Sequence, residues 1–139
     1  MRPERRIRKG GSRGARFKQA AQLRLVDAGI LLLAGRSLGA LYLAGYAVEC
    51  ILKFAITRRR TSVYLPEEFE IHSWDDLLEE AGLAPALKAQ PTLQAIFSEL
   101  ADFWKPELRY ESKALPPGEA MRLYEQIKEV YVWIQEQSL

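Results

Sequence analysis

One cysteine and one histidine stand in the whole chain, and these two scarcities exclude more chemistry than any motif supplies. The lone Cys50 rules out an internal disulfide. Set in an apolar helical run, it reads as a small buried hydrophobe, and no oxidising compartment is required. With His72 as the sole imidazole and no carboxylates clustered at ligand spacing, neither a zinc site nor a dinuclear metal centre is expected, and no cofactor is implied. The one glycine-rich stretch, Gly10-Gly11-Ser12-Arg13-Gly14, lacks the strand and the Lys-Ser/Thr pair of a phosphate-binding loop. Long uncharged apolar runs are missing too. Asp27, Arg36, Glu49 and Lys53 interrupt residues 25 to 56, so no stretch approaches the ~18 residues of a membrane span. No apolar segment with a small-residue cleavage site follows residues 1 to 14, as a secretory signal would need. The expectation is a cytoplasmic protein with no membrane partner.

What is present suits one globular domain. The chain has 139 residues, 48% of them hydrophobic and 27% charged, enough to bury a core without covalent help. Its total charge of +2 conceals a division: residues 1 to 24 hold nine basic side chains against Glu4, a balance of +8 that leaves −6 for the rest. Residues 1 to 14 are therefore expected to be a basic, disordered leader, and residues 15 to 139 the folded domain. Such a leader could also neutralise nucleic-acid phosphates.

Helical periodicity repeats five times, without a competing strand pattern. In residues 16 to 34, Phe17, Ala21, Leu25, Ala28 and Leu32 recur at spacings of three and four, and Gly35 ends the run. A second helix is predicted from Ser37, its N-cap, to Thr57, where Arg58, Arg59 and Arg60 complement the helix dipole. Residues 61 to 71, with Pro66 and three glutamates, read as an exposed loop. A short helix capped by Ser73 stops at Gly82, and Pro91 opens a fourth whose apolar stripe ends at Trp104, read as core. Residues 106 to 117 lack periodicity and form an ordered turn carrying Arg109 and Tyr110, and a last amphipathic helix covers 118 to 137. Short connections favour antiparallel neighbours, so the predicted fold is all-α, an up-and-down antiparallel bundle of four to five helices. Ala40, Ala44 and Ala47 give the second helix a small-residue face that admits another helix, of this chain or of a second subunit.

That second helix also carries Tyr42, Tyr46, Glu49 and Lys53, which fall within a strip roughly 60° wide at about 100° per residue. Their neighbours are apolar or small. The strip is either the helix's one wet edge or the wall of a cleft, and Glu49 and Lys53 stand at the spacing and order of a helical ion pair.

The segment Tyr42-Leu43-Ala44-Gly45-Tyr46-Ala47-Val48-Glu49-Cys50-Ile51-Leu52-Lys53 closely resembles the second-helix signature of HEPN domains, the higher eukaryotes and prokaryotes nucleotide-binding family. His72 opening the next helix, Trp104-Lys105-Pro106-Glu107-Leu108-Arg109-Tyr110 in the turn, and Tyr131-Val132-Trp133 in the last helix match in order. The resemblance implies a bundle of four or five helices that associates as a homodimer. Members often work beside a small nucleotidyltransferase in toxin and antitoxin pairs, and many are metal-independent RNases acting through an Arg-x4-6-His motif. This chain departs from that motif. No histidine occurs among the seven residues after Arg109, and His72 lies 37 positions before it.

Metal-free RNA cleavage needs a base for the 2′-hydroxyl proton and a cation for the phosphorane, so the missing histidine removes the easiest mechanism. The sequence therefore points first to a HEPN-like module that binds a nucleotide, RNA or a cognate nucleotidyltransferase through Tyr42, Tyr46, Glu49, Lys53, Arg109 and Tyr110. A second expectation is an RNase with a displaced centre built from His72, Arg109 and Glu49. A third is a purely structural dimerisation module, in which Glu49 and Lys53 would be exposed or paired only with each other.

Overall fold

Gly14, Ala21 and Ala28 stand seven residues apart, and this spacing gives the first helix one side with almost no bulk, all of it buried. The computed structural model describes residues 13 to 70 and 73 to 139, the side chains of Pro106 and Arg109 excepted. Its first helix, α1 (Gly14–Leu33), lies antiparallel along α2 (Ser37–Arg59). Gly14 meets Thr57 at one end, and Leu31 meets Gly39 at the other. A Cβ at Gly14 would overlap the Thr57 side chain, so the helices can close at that end only over glycine.

The remaining elements are α3 (Trp74–Glu80), α4 (Ala84–Lys88), α5 (Pro91–Phe103) and α6 (Pro117–Gln137), with 3-10 turns at Glu67–Phe69 and Pro106–Tyr110. Among the described residues there are thus six α-helices and only an isolated bridge between Arg13 and Tyr64. The end of α5 reaches the first half of α2 through Trp104, and the ends of α2 and α6 meet at Arg58 and Ser138. The four long helices therefore alternate in direction, as an up-and-down bundle requires. The helix α4 was not expected, because five residues are too few to show a period.

At the centre sits α2. Fourteen of its residues are buried, including Ala40, Ala44 and Ala47, so the chain itself covers the small-residue face. This helix has the length and hydropathy of a membrane-crossing helix, yet 72% of its most apolar window lies inside the fold.

Three helices end with the same pair of backbone hydrogen bonds. Gly35 N–H donates to Leu32 and Arg36 N–H to Leu31 after α1, Thr61 to Arg58 and Ser62 to Thr57 after α2, and Gly82 to Glu79 and Leu83 to Leu78 after α3. This closure needs a left-handed residue. Gly35 and Gly82 supply it at φ 80° and 73°, whereas α2 uses Thr61 at φ 48°.

Several expected boundaries shift. Ser37 is the first helical residue of α2 and not its cap, which is Arg36. Arg13 and Gly14, assigned to the leader, belong to the packed structure: Gly14 N–H donates to the Val63 carbonyl at 2.8 Å, and the Arg13 guanidinium lies 5.8 Å over the Tyr64 ring. The loop after α2 is not wholly exposed either, since Leu65 is fully buried and anchors it.

Candidate functional site

The helix α2 presents two chemically different regions along its length. Near its start, Trp104 stacks on Tyr42 with ring centroids 5.7 Å apart, donates its indole N–H to the Tyr42 carbonyl at 3.0 Å, and stacks on Trp74 at 5.8 Å. The indole occupies the space a Cβ would take on Gly45. Trp104 is 4% exposed and is core, as expected from its place at the end of an apolar stripe. Tyr42 is half-buried in the same cluster, so its ring serves packing.

Further along, Tyr46, Glu49, Cys50 and Lys53 face Arg16, Phe17 and Ala20 of α1 across a cleft of about 480 Å³, with Glu70 at its edge. Glu49 and Lys53 form the floor. They are 1% and 5% exposed, and the Lys53 ammonium donates to a Glu49 carboxylate oxygen at 3.0 Å. The same ammonium lies 5.6 Å from the centre of the Phe17 ring, a cation–π contact. The strip is therefore not a wet edge. Among the described residues, Glu49 and Lys53 are the only buried charged side chains.

Two groups beside this floor register its burial. Burial, followed by the nearby Cys50 and Glu49, pushes the Tyr46 hydroxyl up to about 12. Burial and the Glu49 carboxylate push the Cys50 thiol up to about 11, so the thiol stays protonated and unreactive near neutral pH. Burial likewise raises Tyr131 on α6.

The expected site residues thus divide. Tyr46, Glu49 and Lys53 come together in one cleft, while Tyr42 belongs to the aromatic cluster at the other end. The turn carrying Arg109 and Tyr110 packs against α2. Tyr110 is 77% exposed and is not among the residues lining the cleft. The Arg109 side chain and His72 lie outside the described residues. Facing the α2 strip across the cleft is α1, and not the turn grouped with it as a binding region from the sequence. A signal for it existed: Phe17 and Lys53 stand eighteen positions either side of Gly35, where the hairpin turns. Counting outward from that glycine brings them level.

The basic cluster ending α2 is engaged in structure. Arg58 donates to the Ser138 carbonyl at the end of α6 at 3.3 Å, and Arg59 to the Glu80 carbonyl at the end of α3 at 2.9 Å. Arg60 lies 4.9 Å over the Phe69 ring. A wider groove of about 720 Å³ runs between the start of α5 and the outer face of α6, but no buried polar side chain lines it. Among the described residues no three His, Cys, Asp or Glu side chains converge as metal ligands. No family model, no curated protein and no solved structure matches this chain.

Proposed function

We propose that the chain is a HEPN-like binding module, lacking the family's RNase motif, whose cleft between α1 and α2 takes a nucleotide or an RNA segment. The observation that carries this reading is the cleft that opens over the buried Glu49–Lys53 pair, since the pairing alone would equally fit the purely structural module. A buried ion pair gives little or no stability over apolar residues of equal volume. Charges kept at the bottom of a cavity, beside aromatic walls, are the usual form of a ligand site. Arg16 is an exposed cation for a phosphate, Phe17 and Tyr46 offer ring faces to a base, and Glu70 accepts from base or ribose donors. The two segments that carry the resemblance, around Gly45 and around Trp104, also pack directly on each other.

As a family-like module it would act as a homodimer, beside a small nucleotidyltransferase in a toxin and antitoxin pair. Engagement of Glu49 with Lys53 counts against the displaced RNase centre, which needs that carboxylate at the reacting atoms. Titration of mononucleotides and short single-stranded RNAs, followed by calorimetry, tests the reading. Binding should weaken at least tenfold in Arg16→Ala, with Arg109→Ala probing the turn. No binding by the wild type, or wild-type affinity in both variants, would remove the ligand from this cleft.

A further inference from the structure

The face of α1 turned away from Ala21 and Ala28 carries Leu23, Val26, Ile30 and Leu33, which are 57%, 60%, 61% and 86% exposed. Their spacing of three, four and three is that of a coiled-coil seam, and at about 100° per residue they span about 80° of the helix surface. Among the described residues nothing covers them. We propose that this stripe is the contact between two copies of the chain, packed with their α1 helices antiparallel.

Three observations select a second copy. The stripe is self-complementary: a two-fold axis level with Ala28 sets Leu23 opposite the partner's Leu33 and Val26 opposite the partner's Ile30, so every apolar side chain meets another. Within α1 the charges beside it cancel, because Arg24 and Asp27 are the only ones from residue 19 to 35, and they bond to each other at 3.0 Å. Identical faces can therefore meet without repulsion. The four side chains expose on the order of 500 Å² per copy, so a pair would bury on the order of 1,000 Å², the lower bound of a specific interface.

An anionic bilayer is the competing occupant. Interfacial helices set Lys and Arg along the polar face and place aromatic side chains in the apolar one. The stripe on α1 is aliphatic, and the cations Arg16 and Lys18 lie before it starts, Lys18 over the Phe54 ring at 5.4 Å. The proposal rests on this geometry and not on the nucleotide reading, so either can fail alone.

Sedimentation of the full chain across a concentration series, with Val26→Glu and Ile30→Glu beside it, provides the test. The wild type should sediment as a dimer. Each variant should raise the dissociation constant at least a hundredfold while keeping wild-type helical circular dichroism, since both positions are exposed. Register is read by oxidising Val26→Cys and Ile30→Cys chains, separately and mixed; the mixed disulfide should dominate, and the buried Cys50 should not compete. A wild-type monomer at hundreds of micromolar, a dimer indifferent to both glutamates, or dominance of the homodisulfides would overturn the proposal. So would a monomer that binds phosphatidylserine vesicles and loses them in Ile30→Glu.

Discussion

Replacing Lys53 with methionine removes the ammonium bonded to a carboxylate that is 1% exposed. The expected loss is about 3 to 5 kcal/mol, read from urea unfolding, and Glu49→Leu in the same chain should restore most of it. A loss under about 1 kcal/mol for Lys53→Met would mean that water reaches the pair. Gly45→Ala tests the other end of the helix. The new Cβ would displace a rigid indole that is stacked and hydrogen-bonded, so the cost should reach about 3 kcal/mol and near-ultraviolet circular dichroism should change. Spacing alone showed that Tyr42, Tyr46, Glu49 and Lys53 look in one direction. It could not show what covers them, because Trp104 arrives from 62 residues away and Phe17 depends on the register of the α1–α2 hairpin.

The helices themselves were legible wherever their period or their stop residue is strong. The ends of α1 and α3 follow from Gly35 and Gly82, which provide the left-handed closing residue. The corresponding residue after α2 was not legible, because Thr61 is a β-branched residue that this conformation disfavours. Thr61→Gly should therefore raise stability by about 1 kcal/mol, seen as a higher midpoint of thermal unfolding. Gly82→Ala should act in the opposite sense and more strongly, since its Cβ would also lie 2.8 Å from the Arg59 Nε. The arginine cluster illustrates the same division. Its charge at a helix end was legible, but its bonds to the last turns of α3 and α6 require the tertiary fold.

For the whole molecule, the groups raised by burial set the alkaline limit of stability. The Cys50 thiol ionises near 9.0 in the unfolded chain and near 11 in the native one. Below pH 9 both states hold the proton, and stability does not depend on this group. Between 9 and 11 the unfolded chain releases a proton that the native chain retains, so stability falls as pH rises. Tyr46 adds the same sign between about 10 and 12, and Tyr131 adds to it. Denaturant midpoints should be level from pH 7 to 9 and decline above it, with a shallower decline in Cys50→Ala. A flat profile to pH 10.5 would contradict the burial of these groups.

Because α1 holds to the body almost wholly through one neighbour, α2, with Gly14, Ala21 and Ala28 as its buried residues, parting from that neighbour alone would release it. It should be the first segment to open. In native-state hydrogen exchange its amides should lose protection well before those of α2, and each opening would bare the carboxylate and ammonium beneath. If two copies pair along this helix, that exchange should slow as protein concentration rises, which makes access to the cleft a function of how much protein is present.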